Sequence, residues 1–595
     1  MKKRIDENIN DINENTVKKH QIISYTILAI TGLIFFIFVN LGMKVNESYY
    51  LGNVLIIPGL FLFFKANKHY KTLQRVMYLK EQWGKSQKQN KKKKASTLYN
   101  HLSNKGNEGF LDDQTWHDLN MDNIFYKLNR THSTPGREVL YKMLRKPLFD
   151  ADKLNARAKQ INKFQENESL RIRTQLILMN LGIDSSFNAT DFLWEEVPKP
   201  SKFRYIFLLM SILAIAAIGQ IFFTGIKGAI LILPVYLINL FVHNYMSRRY
   251  SHKIPTISYI NAIINSGIDM SKIKSDELVE HVDILKECTN KTKKILKKTI
   301  FLKKQLYNDI TDIMYEYFKI FFLLEVNSFN AAISDINKNI NEIRNIYLTL
   351  GEIDALQSIA SYRTDIENYC EPEFNDNKVL HIEEGVNPLI EKPVANSIDI
   401  NQKGILITGS NMAGKSTFLR TVGVNVVFAQ TICTCLASKY RGKLYNILTS
   451  ISQTDDLTKG KSFYFTESER IRRMIELSNR EYPTLCIVDE MLSGTNSMER
   501  VNASEEILRY MIKRNVLVIV ATHDLDLAKR LYNDYKCYYF NDNVTKEGLD
   551  FDYSIKEGIA VTSNAIKLLD YLGYPEEIVA KAKEKVAHNM ERFGS

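Results

Sequence analysis

The chain has 595 residues, enough for three or four domains and a large core. Its net charge of +12 suits nucleic acid or an anionic membrane surface and does not choose between them. Six cysteines, Cys288, Cys370, Cys433, Cys435, Cys486 and Cys537, form no CxxC pair, which speaks against a zinc site or a disulfide framework and fits a reducing compartment.

Residues 1–20 read as a polar, cytoplasmic N-terminal tail. Ile22 to Val39 carries no charge and is rich in Ile, Leu and Phe; about twenty such residues span a bilayer core. After a short turn at Lys44 to Ser48, Tyr49 to Phe64 is a second apolar run, interrupted by Pro58. Together they predict a transmembrane helical hairpin over 21–65. Residues 66–110 form a basic juxtamembrane linker whose Lys85, Lys88 and Lys91 to Lys94 suit anionic lipid or nucleic acid, and equally an ordinary solvated linker.

Residues 111–203 are predicted helical, and 204–246 form a second hairpin from Tyr205–Thr224 and Gly228–His243, with Lys227 in the turn. Buried helices of a soluble core are usually shorter and carry one polar face. A cleaved signal peptide is disfavoured, because the N-terminal region is long, of mixed charge and without a small-residue cleavage site. Basic flanks at Lys2, Lys3, Arg4, Lys18, Lys19, Lys65, Lys68, Lys71, Arg75, Arg248 and Arg249 place the large segments on the cytoplasmic side of the inner membrane. Residues 247–370 show apolar positions at three- and four-residue intervals, as in Ile336, Ile340, Ile343, Tyr347 and Leu350, and predict long amphipathic lever helices. Phe318 to Val326 includes Lys319 and Glu325 and reads as a packed core helix.

Residues 371–595 predict an α/β domain. The apolar strand Gly404 to Thr408 leads into Gly409-Ser410-Asn411-Met412-Ala413-Gly414-Lys415-Ser416-Thr417, a glycine-rich P-loop opening a helix. Backbone N–H groups and the helix N-terminus there suit the phosphates of ATP, Lys415 adds a point charge, and the Ser416 hydroxyl suits Mg2+. A second strand, Leu485 to Asp489, ends in Asp489 as a metal ligand and Glu490 as general base for the attacking water. A third, Val516 to Thr522, runs into His523, placed to sense the γ-phosphate. Small polar loops lie at Thr454 to Glu467 and Met491 to Ser497.

These motifs, in this order and spacing, resemble those of the MutS mismatch-repair ATPases, although Ser410 and Ala413 stand where that family usually has proline and glycine. The stretches Leu128–Pro147, Ala355–Ala360, Tyr369–Phe374, Asn387–Leu389 and Ala565–Val579 are also similar to it. The resemblance implies an ABC-type ATPase in which two protomers form composite sites. Asp455, Asp456, Gly460 and Ser462, with Gly494 and Thr495, would reach the partner's nucleotide, and Asn396 and Asn411 would lie near this chain's own. Where relatives often place an aromatic ring against adenine, this chain has Pro393 or Val394.

Mismatch-recognising members carry an N-terminal Phe-x-Glu reader. Here the sequence begins with the first hairpin, and the triplet Phe164-Gln165-Glu166 reads as structural, so the resemblance predicts a variant without that domain. The expected fold is a helical core and lever region with two transmembrane hairpins, followed by the P-loop ATPase. The expected function is a membrane-anchored, homodimeric ATPase driving a clamp or lever cycle on DNA. The alternatives are an ATP-dependent mechanical or signalling protein acting on a protein or lipid partner and, third, a transporter.

Overall fold

The structure is a computed structural model; it describes residues 12–86, 95–103, 109–183, 189–195, 197–250, 253–302, 310–401, 403–409, 413–451, 463–478, 480–545, 548–559 and 569–593. Lys2, Lys3, Arg4, Lys88, Lys91 to Lys94 and Ala565 to Lys567 lie outside them. The chain divides into two compact units, one of residues 1–102, 129–140 and 160–365, the other of 103–128, 141–159 and 366–595.

The first unit is helical. Among the described residues, four segments are long and apolar enough to cross a membrane by length and composition: Glu14–Lys44, Glu47–Gln82, Arg204–Thr224 and Lys227–Tyr250. Asn13 caps the first through the backbone N–H of Thr16. In the turn that follows, Asn46 accepts the Ser48 N–H at 2.9 Å. Pro58 does not interrupt the second run as the sequence suggested. It sits in the first turn of the helix Ile56–Gln82, where a missing N–H costs nothing, and the residues before it, Glu47–Leu55, form 3-10 helix. The first two apolar segments approach closely at Gly59, where a Cβ would stand 2.5 Å from Oγ1 of Thr31.

The predicted amphipathic region folds into helices Ile254–Met270, Val279–Lys298, Leu324–Lys338 and Ile340–Asp365. Ile336, Ile343, Tyr347 and Leu350 are all fully buried. Phe318 to Val326 is not one helix: Ile310–Phe321 ends, Leu323 adopts φ 48°, and Leu324–Lys338 begins. In this unit the fully buried Asp354 accepts the backbone N–H groups of His132 at 3.1 Å and Ser133 at 2.8 Å, at the start of helix Thr134–Arg145. Gly136 is required there, since a Cβ would lie 2.1 Å from Oδ2 of Asp354. Phe164 is buried within helix Ala151–Glu166, which agrees with its structural reading.

Among the described residues the second unit holds ten strands in two sheets: β1 Glu373–Phe374, β2 Val379–Gly385, β3 Asn396–Asn401, β4 Gly404–Thr408, β5 Lys439–Gly442, β6 Asn446–Ser450, β7 Thr484–Asp489, β8 Val516–Ala521, β9 Tyr535–Thr545 and β10 Gly548–Glu557. The smaller sheet has order β1-β5-β2-β3 and the larger β10-β9-β4-β8-β7-β6. Within the larger sheet all pairs are parallel except the β9–β10 hairpin. Every residue of β4 and β8 is buried, as in a parallel strand covered on both faces.

Residues 103–128 belong to this unit. Asp118 accepts the Thr449 hydroxyl at 2.7 Å and the Ile451 N–H at 3.0 Å, and its carbonyl accepts Arg420 at 2.8 Å.

Candidate active site

Strand register places the motif residues on one level. Ile407 of β4 pairs with Ala521 of β8, and Ala521 pairs with Asp489 of β7. The loop after β4, the acids after β7 and His523 after β8 therefore emerge together at the carboxyl ends of the parallel strands, where open α/β sheets bind ligands. Two bonds lock this edge: the Glu490 N–H donates to the Ala521 carbonyl and the Thr522 N–H to that of Ile407, both at 2.9 Å.

The glycine loop needs its glycines. Gly409 has φ 137°, and a Cβ there would meet the Phe540 carbonyl at 2.8 Å; Gly414 has φ 104°. Gly414 precedes the helix Lys415–Thr431, whose side chains are nearly all buried. Ala413 is fully buried, whereas Ser410, Asn411 and Met412 lie outside the described residues. Lys415 is 1% exposed and donates from Nζ to the Gly409 carbonyl at 2.6 Å. The Ser416 hydroxyl donates to Oδ2 of Asp489. Burial pushes the Asp489 carboxyl up from its ordinary range, against the opposing pull of Ser416 and Lys415. Thr417 lies in the first turn of the same helix, and its carbonyl accepts the Thr421 hydroxyl at 2.8 Å.

Glu490 has φ 57° and Leu492 φ 53°, left-handed backbone that non-glycine residues adopt at a cost. The strain is held by Glu467 of helix Phe463–Leu477, whose carboxylate accepts the N–H groups of Leu492 at 2.6 Å and Ser493 at 3.1 Å. His523 Nδ1 lies 3.1 Å from Oε1 of Glu490, and this hydrogen bond raises the imidazole pKa. Arg500 binds both oxygens of Asp524 at 3.0 Å and comes within 3.5 Å of the other nitrogen of His523.

The structure thus brings Gly409, Gly414, Lys415, Ser416, Asp489, Glu490 and His523 to one edge of one sheet. Asn396 stands at the start of β3, its carboxamide accepting the Ile555 N–H at 2.8 Å and donating to the Tyr553 carbonyl at 3.0 Å. Tyr553 was invisible to motif reasoning, yet its Cδ1 lies 3.2 Å from a Cβ built on Gly414. Tyr553 is 46% exposed, so an aromatic residue stands beside Gly414 although Pro393 and Val394 supply none. Glu467, Arg500 and Asp524 were missed for the same reason: no local spacing marks them. Gly494 is exposed, and Thr495 bonds to Glu499 at 3.0 Å beside Asn496, the cap of helix Ser497–Ile512. Asp455, Asp456, Gly460 and Ser462 lie outside the described residues.

Fold and site together define a mixed α/β domain with a candidate ligand site at its parallel-strand ends, preceded in sequence by a helical region that includes long apolar helices. The family model for MutS domain V matches residues 405–591. A DNA mismatch repair protein MutS of Aquifex pyrophilus is 31% identical over 278 residues, which make up 45% of this chain and 32% of the relative. The protein of the same name from Clostridium kluyveri is 30% identical over 277 residues, 44% of this chain and 31% of the relative. That of Thermotoga maritima is 28% identical over 277 residues, 45% of this chain and 34% of the relative. Residues 405–591 are thus similar to MutS domain V, and the chain spans about a third of the length of these curated relatives.

Proposed function

We propose that the α/β unit binds ATP with Mg2+ and hydrolyses it, as one half of a homodimer. The observation that carries this reading is the Ser416–Asp489 contact close in sequence to the left-handed Gly409 and Gly414, with the Glu490–His523 pair at the same sheet edge. A hydroxyl and a carboxylate in contact form a hard oxygen donor set that fits Mg2+. When bound, the cation would draw charge from the phosphates. The loop's backbone and Lys415 hold the phosphates, with Lys415 exchanging the Gly409 carbonyl for a phosphate oxygen. Glu490 accepts the proton of the attacking water, and His523 fixes the orientation of its carboxylate. The loop around Asp455 to Ser462 and the turn at Gly494 and Thr495 complete the partner's site.

We further propose that the four apolar helices anchor the chain in the cytoplasmic membrane, and that the nucleotide cycle moves the helices Leu324–Lys338 and Ile340–Asp365 on DNA held near it. The curated relatives are named for DNA mismatch repair, and the chain is strongly basic. Acting on a protein or lipid partner without DNA is the competing reading.

Lys415→Ala is expected to abolish binding of a fluorescent ATP analogue. Glu490→Gln is expected to keep binding while slowing hydrolysis about a hundredfold or more, the scale of a general base. Equal hydrolysis by wild type and Glu490→Gln would reject the mechanism. Detergent-solubilised protein should bind duplex DNA with affinity that falls steeply between about 50 and 200 mM salt. Absence of binding at the lower concentration would favour the competing reading.

A further inference from the structure

The break between Ile310–Phe321 and Leu324–Lys338 lies against the second pair of apolar helices, and its freed carbonyls are capped by their side chains. Asn239, 1% exposed on the fourth span, donates to the Phe321 carbonyl at 2.5 Å. Ser211 of the third span donates to the Phe322 carbonyl at 2.6 Å and accepts Asn327 at 2.7 Å. Backbone that leaves helical geometry inside a bilayer is tolerated only where protein groups satisfy it, and here they do. Nearby, Lys319 pairs with Glu316, and Glu325 lies 3.8 Å from His243.

The same contacts measure depth. Ser211 lies two turns along the third span from Arg204, about 10 Å at 1.5 Å per residue, and Asn239 lies about 13 Å before Arg248. A hydrocarbon core is about 30 Å thick, so the corner sits roughly a third of the way in. Further along Leu324–Lys338, Asn330 accepts the Ser201 N–H at 2.7 Å and Asn337 donates to the Pro198 carbonyl at 3.0 Å, both ahead of the third span. The helix leaves the apolar zone in the direction of its C-terminus.

We infer that these two helices form a re-entrant corner that enters the bilayer beside the second hairpin, from the side of Arg204 and Arg248, and presents Tyr317 and Phe318 to lipid acyl chains. Tyr317, whose ring centroid lies 6.3 Å from that of Tyr236 on the fourth span, and Phe318 are 56% and 50% exposed, while Phe321 and Leu323 are buried. Lipid is the occupant because the third span beside the corner is itself apolar and open, with Leu213 53% exposed. The corner continues through Leu324–Lys338 into Ile340–Asp365, the helix that ends the first unit, so a lever element begins inside the membrane.

This inference rests on the anchoring proposed above, and the test separates the two. The full chain in lipid vesicles, in a Cys370→Ser background where the other five cysteines are buried, carries a bimane label at Phe318→Cys, Leu213→Cys or Lys338→Cys. Labels at Phe318 and Leu213 should lose fluorescence to brominated acyl chains and resist aqueous iodide; Lys338 should do the reverse. Quenching of the Phe318 label by iodide, or by neither agent, with Leu213 still lipid-quenched, would overturn the corner alone. Failure of Leu213 as well would overturn the anchoring.

Discussion

Glu467 accepts the backbone N–H of Leu492 at 2.6 Å, two residues past Glu490 and inside a turn where both Glu490 and Leu492 are left-handed. A buried acid on one helix therefore fixes the strained turn that aims Glu490. Burial holds the Glu467 carboxyl above its ordinary range despite these donors. Losing hydrogen bonds of this charged kind costs about 1.5–3 kcal/mol. Glu467→Ala should slow ATP turnover about ten- to hundredfold, because each 1.4 kcal/mol is tenfold in rate. Nucleotide affinity should stay within about threefold of wild type, since the phosphate loop makes no use of Glu467. Unchanged turnover would remove Glu467 from any positioning role.

Asn396 joins β3 to the β9–β10 hairpin that carries Tyr553. If Tyr553 provides the surface on which the base lies, Tyr553→Ala should weaken ATP binding about five- to hundredfold, the range of 1–3 kcal/mol for aromatic–base stacking. Tyr553→Phe should bind normally, and Asn396→Ala should weaken binding by releasing the hairpin. Fluorescence anisotropy with a labelled nucleotide measures all three. Wild-type affinity in Tyr553→Ala would place the base elsewhere.

Glu138 accepts Thr190 at 2.7 Å and Tyr347 at 3.0 Å, and burial pushes its pKa up to about 7. The unfolded chain would release this proton near 4.5, so the native state binds it more tightly. Its stabilisation is fully present below about 4.5 and is lost as pH rises through about 7, by about 3 kcal/mol. Glu138→Gln keeps the two acceptor contacts without the proton. Thermal unfolding followed by tryptophan fluorescence should show a wild-type midpoint that falls from pH 5 to pH 8 and a flatter profile in the variant. Parallel profiles would show that Glu138 ionises normally.

The four apolar helices predict both termini and the large segments on the cytoplasmic side. A cysteine at Asn46, in the first turn between spans, should react with an impermeant thiol reagent added to intact cells, and one at Ser103 should not. Reaction at Ser103 from outside would reverse or abolish the proposed topology.

What the sequence determined by itself is what short-range chemistry encodes. Glycines at Gly409 and Gly414 announce backbone that only glycine adopts freely, apolar runs ending at Thr408, Asp489 and Thr522 announce buried parallel strands, and uncharged stretches from Ile22 and Tyr205 announce membrane-length helices. The spacing also marked Lys415, Ser416, Asp489, Glu490 and His523, which the strand register then set side by side. The tertiary structure alone decided which distant groups complete them. Glu467 under the Leu492 turn, Tyr553 beside Gly414, Asp118 on β6 and Ser211 and Asn239 on the Phe321–Phe322 break are pairings between segments far apart in the chain. None leaves a periodic or motif trace, because a buried polar group is stabilised by whichever partner the packing brings to it, and that partner is set by the geometry of the whole unit rather than by its neighbours in sequence.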